Sequence, residues 1–283
     1  MTAVTETNEA ETDATARSAS LRHLILTVYG LYARHNGGWL PVATLIRLLA
    51  DVGIDEPAAR SAISRLKRRG ILQSRRHGGS AGYQLSAEAL AIVREGDARI
   101  FRRRRAAPAD GWVLAVFSVP EPERQQRHVL RSELARLGFG MVAPGVWIVP
   151  AHPDDTTAET LRRLGLDRYA DLFRAEYLAF GDPAAKIRRW WDLDELERQY
   201  QAFIAAHEPT LRALAAGPTG GRAAFGCYVR MLTDWRRLPY LDPGLPAELL
   251  PGGWAGIRAA DVFFALRERL EEPARAHVAA VSG

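Results

Sequence analysis

The stretch from Asp55 to Ser86 limits most sharply what this chain can fold into. Asp55 is a favoured helix N-cap, and Pro57 stands in the first turn behind it, so a helix opens here. Ala59, Ala62, Ile63 and Leu66 share one stripe at helical spacing, and Gly70 closes the segment. Ile71–Arg76 and Tyr83-Gln84-Leu85-Ser86 then read as strands on either side of a glycine-rich tip, His77-Gly78-Gly79-Ser80-Ala81-Gly82. That pattern is a hairpin.

The flanking chain supplies partners for the apolar stripe. Leu21, Leu24, Ile25, Val28, Leu31 and Tyr32 predict a first helix that stops at His35-Asn36-Gly37-Gly38. Trp39-Leu40-Pro41 reads as a short extended piece. A second helix carries Val42, Leu45, Ile46 and Leu49 on one face and ends near Gly53. After the hairpin, Ser86 and Glu88 begin a fourth helix through Ile92, Val93 and Ile100 to Arg102–Arg105. Three helices, a hairpin and a following helix predict a winged helix-turn-helix domain over residues 19–108. Residues 1–18, small, polar and acidic, read as a disordered tail.

Pro108-Ala109-Asp110-Gly111 reads as a linker. Trp112–Val119, apolar but for Ser118, is expected to be a buried strand, followed by a helix from about Pro122 to Leu137. Phe139–Val142 and Val146–Val149 read as strands joined at Ala143-Pro144-Gly145, Thr157–Leu164 as a short helix and Leu172–Phe180 as a last strand. The order β-α-β-β-α-β predicts a ferredoxin-like middle domain over 109–183. Residues 184–283 read as a helical domain, with helices Lys186–Trp191, Leu193–His207, Pro209–Ala216, Ala223–Arg237 and Ala255–Leu270 and a proline-rich bend at Leu238–Pro251. The expected class is α+β, multidomain.

Charge points to the same segment as the helix and hairpin. Residues 55–105 hold 13 Lys/Arg against five Asp/Glu, whereas the whole chain carries only +5. Basic charge gathered into one stretch is the footprint of a polyanion binder. On the third helix, Arg60, Ser61, Ser64, Lys67 and Arg68 lie opposite the apolar stripe, with Arg65 at its edge. Arginine pairs with guanine and serine adapts to bases or phosphates, so these residues are the candidate readers of double-stranded DNA. Arg75, Arg76, His77 and Ser80 in the hairpin flank glycines that let backbone approach phosphates; they are expected to position rather than to specify.

Other chemistries find no support. A single cysteine, Cys227, excludes an intrachain disulfide framework and cysteine-based metal sites, and suits a reducing cytoplasm. No apolar run reaches the roughly 18 residues a membrane helix needs, and Met1–Thr15 lacks the apolar stretch of a signal peptide. Gly138-Phe139-Gly140-Met141-Val142-Ala143 fits the loose dinucleotide fingerprint but follows a helix and opens a strand, the wrong context. No P-loop, no Gly-x-Ser-x-Gly elbow and no ligand spacing among the seven histidines occurs, so no enzyme, metal or cofactor is expected.

The last third is rich in aromatics. Trp235, Arg236, Arg237 and Tyr240 put arginines beside rings, a combination suited to an aromatic acyl group on a phosphate-bearing carrier.

The segment Ala59-Arg60-Ser61-Ala62-Ile63-Ser64-Arg65-Leu66, closing at Gly70, resembles the corresponding helix of the PaaX family of bacterial repressors. The clearest likeness is C-terminal: Arg236-Arg237, Leu241-Asp242-Pro243-Gly244-Leu245-Pro246-Ala247-Glu248-Leu249-Leu250-Pro251 and Trp254-Ala255-Gly256. The resemblance covers nearly all of the chain after the tail. It implies a homodimeric, nucleoid-associated bacterial repressor of a phenylacetate-type catabolic operon, released from its DNA operator by an acyl-CoA such as phenylacetyl-CoA. It also implies that the middle domain serves dimerisation and relay, and residues 184–283 the effector and the dimer. The middle domain also resembles the small CRISPR-adaptation nucleases, and a metal-dependent nuclease is the alternative reading. Those enzymes hold metal on an aspartate ending the first strand, where this chain has Ser118, a poor magnesium ligand without carboxylates nearby. A structural adaptor without DNA affinity is disfavoured by the basic stretch and the hairpin.

Overall fold

The computed structural model describes residues 20–34, 37–102, 105–152, 156–178 and 180–282. The expected N-terminal tail therefore lies outside the described residues. No described helix is long and apolar enough to cross a membrane. The fold is mixed α+β, with two small sheets and many helices in two compact units. One takes the described residues up to Ala98, Ala205–Trp235 and those from Ala260 on; the other takes Arg99–Ile204 and Arg236–Ala259.

In the first unit, α1 spans residues 20–33 and ends in a wide π-helical turn, Tyr29–Ala33. Ile25, Val28 and Tyr29 are fully buried, and the Tyr29 hydroxyl donates to the Tyr83 carbonyl at 3.1 Å. There follow β1 (Trp39–Pro41), α2 (Val42–Asp51), α3 (Glu56–Arg68), β2 (Leu72–His77), β3 (Ser80–Leu85) and α4 (Ala87–Phe101). The extended piece at Trp39 is a true strand, since β1 pairs antiparallel with β3 and the sheet order is β1-β3-β2.

The hairpin is tighter than its composition suggests. His77 pairs with Ser80, leaving only Gly78 and Gly79 as the turn, with φ of 54° and 82°. Two consecutive positive-φ residues give the two-residue turn whose twist matches that of the strands, so the strands run on into the glycine-rich tip. Gly82 is required for a different reason. A Cβ there would lie 2.4 Å from the Leu40 carbonyl and the Trp39 ring nitrogen.

The same unit contains the C-terminal part of α8 (Leu193–Ala216), all of α9 (Gly221–Trp235) and most of α11 (Ala255–Ser282). These helices grip the end of α2. Asp51 accepts from Arg222 Nε at 2.8 Å and bonds His277 Nε2 at 2.7 Å, while Arg230 donates to the Val52 carbonyl at 2.8 Å. Trp235 stacks on Phe263 at 4.5 Å in the core. Two expected helix boundaries fail: α8 runs on through Pro209 and α11 through Pro273 to Ser282. A proline inside a helix removes one hydrogen bond and crowds the preceding turn. Leu266, Leu270, Ala274 and Val278 stay buried on both sides of Pro273, and that packing outweighs the local defect.

In the second unit, β4 (Trp112–Phe117), β5 (Gly140–Ala143), β6 (Val146–Pro150) and β7 (Ala170–Ala175) form a sheet of order β5-β6-β4-β7, antiparallel throughout. The connection α5 (Arg124–Arg136) joins β4 to β5, passing β6; α6 (Thr157–Arg163) joins β6 to β7, passing β4. Ala115, Leu130, Leu134, Trp147, Leu161 and Tyr169 form the core between helices and sheet. The expectation of a strand buried on both faces is corrected: Val116 is 40% exposed, because both helices cover the Val113–Ala115–Phe117 face. The last strand begins at Ala170 and stops at Ala175, leaving Leu178 and Phe180 beyond it and exposed.

The proline-punctuated segment folds around a buried carboxylate. Asp242 accepts from the Tyr200 hydroxyl at 2.8 Å, from the Gly244 N–H at 2.8 Å and from Arg105 at 3.3 Å. Arg105, expected at the end of the fourth helix, lies past it and half-buried in its own unit, where it donates also to the Leu245 carbonyl. Arg103 and Arg104 lie outside the described residues.

Candidate nucleic-acid interface

Helix α3 is built as its sequence requires. Asp55 caps it by accepting from Ala58 N–H at 2.8 Å, and Gly70, at φ 70°, lets the chain leave it. Ala59, Ala62, Ile63 and Leu66 are buried, so the register of the helix is set by its apolar stripe. Arg60, Ser61, Ser64, Lys67 and Arg68 are all exposed, and Arg65 is half-buried. The helix ends with Arg65, Lys67 and Arg68 in its last turn, where cations offset the negative end of the dipole.

Several of these side chains hold one another in place. Arg60 Nε donates to Glu56 at 2.7 Å and Arg65 donates to the Ser61 hydroxyl at 2.9 Å. In the hairpin, Arg76 donates to the Gly79 carbonyl at 2.9 Å, bracing the turn, and the His77 ring lies 5.4 Å from that of Trp39. Arg75, Arg76, His77 and Ser80 are all exposed. Helix and hairpin meet through Lys67, whose ammonium lies 5.6 Å from the centre of the Tyr83 ring. The structure thus gathers the hydroxyls of Ser61, Ser64 and Ser80 and a set of cations on adjoining elements of one unit.

Sequence reasoning passed over Tyr83, Trp39, Val42 and Ile46. Tyr83 and Trp39 read as ordinary strand residues, and only the pairing of β1 with β3 brings them beside the basic face. Val42 and Ile46 read as core; both are only half-buried and line a concavity of about 240 Å³ against α3.

The four candidate effector residues separate. Trp235 is fully buried against Phe263 as core of the first unit, which leaves its ring no open face for a ligand. In the second unit, Arg236 is half-buried, Arg237 is exposed and donates to Gln199 at 3.1 Å, and the Tyr240 ring lies 5.0 Å below the Arg99 guanidinium. Burial lowers the Arg99 pKa from the ordinary arginine value. That same unit holds a second cluster of half-buried rings, with Trp112, Trp190 and Trp191 at centroid separations of 6.0–6.3 Å. A concavity of about 230 Å³ beside them is lined by Arg188, Arg189, Asp192 and Asp194 as well as Trp190 and Trp191.

Among the described residues no group of three or more His, Cys, Asp or Glu side chains is placed to hold a metal. Ser118, just past β4, is exposed, and its N–H donates to the Tyr169 carbonyl at 3.0 Å.

Comparison with known proteins finds matches along almost the whole chain. Residues 20–89 match the family described as PaaX-like protein, residues 105–187 the PaaX protein central Cas2-like domain, and residues 191–280 the PaaX-like protein C-terminal domain. The chain belongs to the PaaX family. It is 29% identical over 260 residues to the transcriptional repressor PaaX of Escherichia coli strain K12, an alignment covering 90% of this chain and 82% of that protein. PaaX is thus a regulator rather than an enzyme, and so is the family this chain joins. In fold, the chain is similar to an uncharacterized protein, Rv0674, from Mycobacterium tuberculosis, at a TM-score of 0.59 and 24% identity over 89% of this chain and 97% of that one.

Proposed function

We propose that this PaaX-family protein is a sequence-specific DNA-binding repressor in which residues 19–108 act as a winged helix-turn-helix. The observation that carries the reading is α3 itself, capped at Asp55, anchored by four buried apolar residues and exposing Arg60, Ser61, Ser64, Lys67 and Arg68 beside a basic, glycine-tipped hairpin. A helix fits the major groove, and arginine and serine are the side chains that read base edges there. The hairpin's Arg75, Arg76, His77 and Ser80 then lie along phosphates. A homodimer presents two such helices to half-sites one helical turn apart.

The strand order β5-β6-β4-β7 with its two helical crossovers supports a ferredoxin-like middle domain, residues 109–183, as dimerisation and relay element. Residues 184–283 serve the effector and the dimer. The effector is an acyl-CoA of an aromatic acid, phenylacetyl-CoA first among candidates, and the target a phenylacetate-type catabolic operon, as the family resemblance implies. Arg236, Arg237 and Tyr240 remain residues suited to its phosphates and ring, without the buried Trp235. No observation favours the nuclease alternative, since Ser118 stands where a metal-holding aspartate is needed.

Fluorescence polarisation with DNA from upstream of the protein's own gene tests the reading, challenged with a panel of acyl-CoAs. Tight binding weakened by phenylacetyl-CoA is expected. By linkage, operator DNA must then weaken acyl-CoA binding by the same factor. Absence of binding to upstream DNA contradicts the regulator, and binding indifferent to every acyl-CoA contradicts the effector.

A further inference from the structure

The concavity of about 240 Å³ between α2 and α3 has an unusual make-up for a DNA-facing surface. Val42 and Ile46, one turn apart on α2, and Ile63 of α3 make its apolar wall. Ser64, Arg60 and Lys67 make its rim, with the Tyr83 ring behind Lys67. Leu45, Leu48 and Leu49 are wholly buried and supply what α2 contributes to the core; Val42 and Ile46 stay half-buried on the basic side. Val42 and Ile46 thus keep apolar surface open beside Arg60 and Lys67, and an apolar wall with a cationic rim suits an apolar group carried on a polyanion.

Only one such group exists on the major-groove edges of the four bases. Adenine, guanine and cytosine present donors and acceptors there, while thymine adds a C5-methyl. We propose that this hollow is a thymine-methyl pocket, in which Val42, Ile46 and Ile63 enclose the methyl while Arg60 and Lys67 engage neighbouring phosphates or base edges. The proposal rests on the reading of α3 as the groove-reading helix, and it adds a specificity term that the arginines and serines alone do not supply. The occupant is set by charge complementarity: Arg60 and Lys67 are exposed at the opening, and α2 has no acidic residue in its first turn.

The test alters the DNA first and the protein second. The shortest upstream fragment that the protein protects is remade with deoxyuridine in place of thymidine, one position at a time, which removes the methyl and nothing else. Wild-type protein is expected to bind about fourfold more weakly when the pocket thymine of a half-site is replaced, the effect of losing one buried methyl, and unchanged at the other positions. Ile46→Ala and Val42→Ala should bind the thymidine fragment more weakly and no longer distinguish it from the uridine one. Because the first comparison uses unaltered protein, a folding defect in either variant cannot mask the result. Equal affinity at every substituted position overturns the pocket while leaving DNA recognition intact. Failure to bind either fragment overturns the DNA reading and the pocket together. Retained discrimination by both folded variants also overturns the assignment to these side chains.

Discussion

Arg60 is held by Glu56 one turn earlier on α3, through Nε at 2.7 Å, with both side chains more than half exposed. An ion pair that exposed is worth about 0–1 kcal/mol, whereas a bidentate arginine–guanine contact discriminates by roughly 1–3 kcal/mol. The pair therefore orients Arg60 without trapping it. Replacing Arg60 with alanine should weaken specific binding by about 1–3 kcal/mol and relax preference at a single base pair, and Arg68→Ala should behave likewise. Glu56→Gln should leave affinity equal or higher. Polarisation titrations on a fragment series decide this, and unchanged operator affinity in folded R60A and R68A proteins would remove both residues from the interface.

The hairpin arginines should behave differently. Arg75 and Arg76 lie on β2 beside the turn, where the proposed role is to follow phosphates, and Arg76 already braces the Gly79 carbonyl. Arg75→Ala or Arg76→Ala is expected to weaken binding to all sequences alike and to lower the slope of log affinity against log salt by about 1. Titrations at several salt concentrations measure the slope. A loss confined to one sequence would make these arginines readers instead.

Gly82 governs whether the sheet closes. Gly82→Ala drives a methyl into the Leu40 carbonyl and the Trp39 ring, backbone and bulky side chain that have little room to yield. Overpacking of this kind destabilises by roughly 1–3 kcal/mol. Denaturant unfolding should show the loss, together with weaker DNA binding; an unchanged midpoint would mean that β1 and β3 separate freely.

Much of this was legible beforehand, and the failures share a cause. Asp55, Gly70 and the stripe Ala59–Ala62–Ile63–Leu66 act locally, so cap, stop and buried face of α3 all match expectation. Pro209 and Pro273 misled because a proline's local penalty is visible in sequence, whereas the packing that outweighs it is not. Trp112–Phe117 looked buried on both faces because an apolar run does not say how many sides of a sheet the helices cover. Tyr83 and Ile46 join the candidate site only through strand pairing and the approach of α2 to α3. Trp235 shows the converse, an aromatic beside arginines whose ring the core has already claimed.

Asp242 should prove the most sensitive position of the proline-punctuated segment. Its carboxylate is buried and receives Tyr200, Gly244 and Arg105 together. Asp242→Ala takes the carboxylate from half-buried Arg105, leaving it the Leu245 carbonyl, and leaves a buried hydroxyl without this acceptor, a change expected to destabilise by about 3–5 kcal/mol. Equilibrium unfolding of the variant measures it. A loss below about 1 kcal/mol would mean that Arg105 and Tyr200 find other partners.

The central claim is that α3 reads sequence. The most direct measurement is the affinity of wild-type protein, at one fixed salt concentration, for the protected upstream fragment and for a scrambled fragment of the same length and composition. A reader of base edges should prefer the upstream fragment by about a thousandfold or more. Equal affinity for the two fragments would show a basic surface that binds phosphates alone, and would contradict the account.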